Sequence, residues 1–152
     1  MNDSLFDATT VKALSLRIES LDKDVMPEWG RMDSAQMLAH LNRQYMYVFQ
    51  AHKLEKPSKI KQFVLRNMLL PQLISPTPYR KNLPTTKVYK VIDERDFNKE
   101  KKELLANLER TRQLGSEAFE GKQHLNFGKL SSQQWDRLLR KHIEHHLVQF
   151  GV

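Results

Sequence analysis

The sequence predicts an all-α fold, a four-helix bundle with a long crossover between its second and third helices. Three observations carry that prediction. Apolar residues recur at steps of three and four along four separate segments, the spacing that gathers them on one helical face. Capping residues and glycine stops bracket those segments. Only 5 glycines occur, and no Asn-Gly or Asp-Gly pair marks a tight hairpin.

The first helix is expected over residues 7–22, where Val11, Leu14, Ile18 and Leu21 share a face and Asp7 supplies the start signal. Pro27, Trp29 and Gly30 then break the pattern. The second is expected over 34–52. Asp33 with Gln36 forms a capping box there, and Met37, Leu41, Tyr45, Val48 and Phe49 are its apolar residues. A basic, proline-containing loop leads to a shorter apolar-rich helix at 59–70, with Ile60, Phe63, Val64, Met68 and Leu69, which Pro71 should end or kink. Pro76, Pro78 and Pro84 hold an irregular link to about residue 92, in which Val88–Ile92 could form a short extended piece. A connection that long is either functional or a crossover between distant helices. The third main helix is expected over 96–114, capped by Asp96, with Phe97, Leu104, Leu108 and Thr111 on one face and Gly115 as its stop. The fourth, over 131–150, opens on a second capping box, Ser131 with Gln134, and stops at Gly151.

Composition bounds the classes. A chain of 152 residues fits one domain, 1–152, long enough to bury a core without staples. With 39% hydrophobic and 28% charged residues, wholesale disorder is not expected. The absence of cysteine excludes a disulfide framework, a thiolate metal site and a cysteine nucleophile. No run of 18 apolar residues exists, and Met1–Asp7 contains two aspartates and no basic residue, so neither a membrane span nor a secretory signal is expected. A cytoplasmic protein is the default. The net charge of +7 makes anionic partners worth weighing.

Chemistry points to the 6 histidines, His40, His52, His124, His142, His145 and His146. His142 and His146 are four apart, one helical turn on the same face, and can present two imidazoles to one metal ion. At about 100° per residue, His146 lies about 40° from His142, inside the stripe of Trp135, Leu139 and Phe150. His145 lies about 60° to the other side, toward Lys141. The Glu that follows the first His of the zinc-protease helix is replaced by Ile143, so that motif is not matched. The third ligand should come from a facing helix. His40 is the one histidine inside another predicted helix, on a face with Met37, Gln44, Tyr47 and Val48. His40, His142 and His146 would supply three neutral nitrogens and leave coordination positions open. Gln44 and Gln149 are candidates to accept the other ring N–H of a ligating histidine, and Tyr47 is a candidate pocket residue. His52 and His124 read as solvated surface histidines.

Two stretches of the chain resemble a known family. One is Trp29-Gly30-Arg31-Met32 followed by Gln36-Met37-Leu38-Ala39-His40-Leu41. The other is Phe127-Gly128-Lys129-Leu130-Ser131, then Trp135, then His142 through Gly151. Together they resemble the DinB/YfiT-like metalloenzyme superfamily, in a branch described only as a domain of unknown function, and the likeness runs nearly the whole chain. It implies a divalent metal held inside a four-helix bundle by His40, His142 and His146, the same trio that the helical phase selects. One departure is that His124 precedes Leu125, where related sequences often carry His-Pro before the Phe-Gly element. Characterised members include thiol transferases and isomerases that use low-molecular-weight thiols, and dimers are common among them.

The expected function is therefore a divalent-metal-dependent enzyme acting on a small molecule, by thiol transfer or hydrolysis. Imidazole ligands suit zinc, nickel, iron and copper, with zinc or nickel first. A low-molecular-weight thiol is the candidate cofactor, and a homodimer the candidate assembly. The alternative is a non-enzymatic helical protein that binds metal, or an anion such as nucleic acid, through Lys53, Lys56, Lys59, Lys61 and Arg66 and through Lys99, Lys101 and Lys102. Glu55, Glu100 and Glu103 interleave with those clusters and no stacking platform is evident, which argues against nucleic acid.

Overall fold

A computed structural model describes residues 3–84 and 87–152. Met1 and Asn2 of the N-terminal segment, and Thr85 and Thr86 of the irregular link, lie outside the described residues. The fold is mainly helical. Its first helix, α1 (Ala8–Ser20), starts where the Asp7 carboxylate accepts the N–H groups of Thr9 and Thr10. It ends a residue before Leu21, which stays buried although its backbone is extended. The Lys101 ammonium donates to the carbonyls of Glu19 and Leu21 there, satisfying acceptors that the helix end leaves open.

The second helix, α2 (Ser34–Phe49), begins with the capping box: Asp33 accepts the Gln36 N–H, and the Gln36 side chain accepts the Asp33 N–H. A 3₁₀ turn at Ala51–Lys53 replaces the last turn expected from the sequence. α2 is buried on more than one side, with Met37, Leu38, His40, Leu41, Asn42, Gln44, Tyr45 and Tyr47 all covered. It therefore has several neighbours. It packs on α5 (Phe97–Leu114) and α6 (Ser132–Gln149), and α1 packs on the same two helices. Leu14, Ile18, Leu38, Leu41, Leu104, Leu108, Leu139, Ile143 and Leu147 meet in this core, each side chain contributing roughly 1.5–3 kcal/mol by leaving water.

Polar contacts set the register. Asn42 of α2 donates to the backbone carbonyl and the carboxylate of Glu100 on α5, at 2.9 and 2.8 Å. Near the chain start, the Asp136 carboxylate of α6 accepts the Leu5 N–H at 2.6 Å and the Ser4 hydroxyl at 3.1 Å. Burying these groups unpaired would cost a few kcal/mol each, so only the alignment that pairs them is favourable.

Two expectations are corrected. Of the end or kink expected at Pro71, the end does not occur, and helix continues past the expected bound at residue 70. α3 (Lys59–Val64) passes through a π-helical turn at Leu65–Leu69 into α4 (Leu70–Ile74), which carries Pro71 in its first turn. A proline lacks an N–H and its ring clashes with the carbonyl four residues back. The wider turn, in which the Leu70 N–H reaches the Leu65 carbonyl, relieves that clash. The second correction concerns strand. Of the piece expected over 88–92, Val88 and Tyr89 are turn and 90–92 form no strand. The strand pairing lies at β1 (Gln123–His124) and β2 (Gly128–Lys129), antiparallel, with His124 opposite Gly128. α3 and the π turn clamp this hairpin, since Gln62 of α3 donates to the Leu125 carbonyl and Arg66 of the π turn to those of Phe127 and Lys129. The outer side of α3 and the π turn is apolar, with Ile60, Phe63, Val64 and Met68 exposed. Among the described residues no helix is long and apolar enough to cross a membrane.

Candidate metal centre

His40 projects from the middle of α2, and His142 and His146 from the last two turns of α6. Their rings meet. The Nε2 atoms of His40 and His142 are 2.9 Å apart, those of His142 and His146 are 3.2 Å apart, and the three ligand atoms lie within 4.8 Å of one another. His40 and His146 are buried, at 4% and 7% exposed, while His142 is only partly buried.

What the other ring nitrogens do settles the tautomers. His40 Nδ1 faces the backbone carbonyl of Tyr89 at 2.8 Å. His142 Nδ1 faces Gln44 Oε1 at 2.9 Å, and His146 Nδ1 faces Gln149 Oε1 at 2.7 Å. A carbonyl oxygen can only accept. Each glutamine is held in one orientation, because Gln44 Nε2 donates to the Leu138 carbonyl and Gln149 Nε2 to the Trp29 carbonyl. Each neutral imidazole therefore carries its proton on Nδ1 and turns its Nε2 lone pair inward.

Protonation does not relieve this crowding near neutral pH. Burial lowers the pKa of His40, drives that of His142 well down, and takes His146 to about 3. Neighbouring charge acts in the same direction. The charged groups near His40 and His145 are Arg43 and Lys141, and the cluster members repel one another's protonated forms. No carboxylate forms an ion pair with a histidine among the described residues. Three neutral nitrogen lone pairs aimed at one another are a donor set compatible with a bound cation, which would relieve their mutual repulsion. The nitrogen donors and their outer acceptors are the pattern of a histidine metal site.

A family model described as "Protein of unknown function (DUF1569)" matches residues 3–151. The chain belongs to the DUF1569 family. No curated protein and no solved structure matches it.

The remaining candidates of this DUF1569 chain fall at varied distances from the cluster. Tyr47 is 3% exposed. It stacks between Tyr89, at 5.5 Å, and His124, at 4.8 Å, and Tyr89 in turn lies 5.6 Å from the His40 ring. His145 is not one of the three converging histidines; its ring stands 5.1 Å from that of His146, beside Trp29, at 5.7 Å, and Tyr79, at 5.4 Å. His52 is exposed in the 3₁₀ turn. His124 corrects the expectation of a surface histidine. It is 2% exposed, packed between Tyr47 and Phe127, with Nδ1 accepting the Asn126 N–H. Sequence reasoning missed Tyr89 and Trp29. Both act through backbone carbonyls, which every residue type possesses, so no side-chain signal could have found them.

Proposed function

We propose that this chain is a divalent-metal-dependent enzyme of the DinB/YfiT-like kind, a single-domain four-helix bundle in which His40, His142 and His146 hold the metal. The observation that carries the reading is the convergence of three Nε2 lone pairs whose tautomers are set by Tyr89, Gln44 and Gln149. A fourth protein ligand, usual in structural zinc sites, is missing from the cluster among the described residues. That supports a catalytic role over a purely structural one. Zinc and nickel suit the donor set.

A divalent cation at this point would supply Lewis acidity, making a water or a thiol acidic enough to act as a nucleophile near neutral pH. The protein's own part is to hold three rings at one angle, keep them unprotonated by burial, and bring no negative charge to offset the cation. The all-neutral donor set, with Arg43 and Lys141 as the nearby charges, favours an anionic or ionisable small substrate, such as a low-molecular-weight thiol. Transfer or hydrolysis on such a molecule is the proposed reaction class. The exposed side of α3 and the π turn, with Ile60, Phe63 and Met68, supports self-association as a dimer, which sedimentation would show.

The test is metal content after dialysis of metal-stripped, untagged protein against zinc or nickel. The parent and His145→Ala should each retain about one ion per chain, whereas His40→Ala and His146→Ala should lose most of it. Equal retention in all four proteins would place the metal elsewhere and end this reading.

A further inference from the structure

Gly30 lies outside the histidine cluster, in the turn before α2, yet it touches the machinery that orients one ligand. Its φ is +89°, a conformation that L side chains rarely adopt. Space is short as well. A Cβ built on Gly30 would stand 2.7 Å from Gln149 Nε2, closer than real Cβ contacts, with Asn82 Oδ1 at 4.0 Å.

Gln149 has little freedom to retreat. It is 4% exposed. Its Nε2 donates to the Trp29 carbonyl at 2.5 Å, and its Oε1 accepts from His146 Nδ1 at 2.7 Å. Its own backbone carbonyl accepts the Glu28 N–H at 2.8 Å. The amide thus lies across the Trp29-Gly30 turn and is fixed at both ends.

We propose that Gly30 is a positioning residue of the metal centre: its missing side chain is the space through which Gln149 reaches across the turn to hold the His146 ring with its proton on Nδ1. The proposal rests on the metal-site reading for its consequence, and on the hydrogen-bond geometry alone for its cause. Any Cβ at residue 30 pushes the Gln149 amide aside. His146 Nδ1 then loses its acceptor, the proton is free to move to Nε2, and a protonated Nε2 cannot ligate.

Alanine at a positive φ strains the backbone even where space is open, so that effect needs its own control. Gly115 supplies it, with φ +73° and nothing within 4 Å of a built Cβ. The experiment compares Gly30→Ala, Gly30→Asn, Gly115→Ala and Gln149→Ala in the full chain. Asparagine tolerates positive φ better than alanine but carries the same Cβ. Two quantities are read: the imidazole tautomer of His146 by nitrogen NMR in metal-free protein, and zinc affinity by chelator competition.

Gly30→Ala and Gly30→Asn should populate the Nε2–H tautomer of His146 and weaken zinc binding by about 10- to 100-fold, the usual cost of losing an outer acceptor. Gly115→Ala should keep the parent tautomer and affinity. In the Gln149→Ala background, Gly30→Ala should cause no further loss of affinity, since both act on one hydrogen bond. If Gly30→Ala fails to fold, Gly30→Asn and the Gln149→Ala background carry the test. Parent-like tautomer and affinity in a folded residue-30 variant, or full additivity with Gln149→Ala, overturns the proposal. A parent that binds no zinc overturns the metal-site reading instead, and the tautomer comparison still decides whether Gly30 positions His146.

Discussion

Burial decides the charge of His124. The ring is 2% exposed, stacked on Tyr47 and Phe127, and its pKa is lowered to about 3 by desolvation. In the unfolded chain it titrates near pH 6.5. Between those values the unfolded state binds a proton that the folded state refuses. The contribution to stability is thus present above pH 6.5 and lost as the pH falls toward 3, by about 1.4 kcal/mol per pH unit. His124→Phe keeps the aromatic stack and removes the base. Its unfolding free energy, from urea titrations in metal-free protein, should fall less steeply between pH 6.5 and 4, by roughly that slope for one group. Parallel curves would mean that His124 is solvated after all. At this scale the sequence was legible for His142 and His146 through helical phase, and for His40 as the one histidine inside another predicted helix. It misled for His124, since a histidine in a short hairpin shows no periodicity, and its burial comes from Tyr47, Phe127 and Trp135.

Each long helix starts where a side chain captures its free N–H groups. Ser131 accepts the Gln134 N–H at 3.2 Å while Gln134 returns a bond to the Ser131 N–H at 3.0 Å. α6 carries two of the three clustered histidines, yet this cap stands at the far end from them. Ser131→Ala should therefore lower stability by about 1 kcal/mol, read by chemical denaturation, and leave the zinc affinity at the parent value. A drop in affinity instead would show that the whole helix, not its last turns, sets the site. Such caps are local, and the residues that make them lie within three positions, which is why the sequence announces them. The π turn at Leu65–Leu69 was not announced. It answers Pro71 from the N-terminal side and is held in place by the hairpin contacts of Gln62 and Arg66, which come from a distant part of the chain.

The histidine cluster joins α2 to the end of α6. A ligand there ties residues 40 and 142, which are 102 positions apart. Zinc at 100 times its dissociation constant should stabilise the folded chain by about 2.7 kcal/mol. For a domain of this size that raises the melting temperature by roughly 5–10 °C. The shift at pH 7.5 should vanish in His40→Ala. A parent that binds zinc without any shift would show that the site opens locally, apart from global unfolding.

By itself the sequence determined the mainly helical character, the starts of the long helices and the shared face of His142 and His146. Each follows from interactions within a few residues or from a helical period that repeats along the chain. The point where His40 meets that pair is a contact across 102 positions. Only the tertiary structure decided how that point is built. Gln44 and Gln149 are legible in the sequence as candidate acceptors of the Nδ1 protons, but which histidine each serves, and the third acceptor, the Tyr89 backbone carbonyl, are not. The close approach of Gly30 to Gln149, across 119 positions of chain, is likewise invisible until the helices pack. Long-range contacts of this kind depend on which faces meet, and the pairing of faces is settled by packing and by the cost of leaving buried polar groups alone.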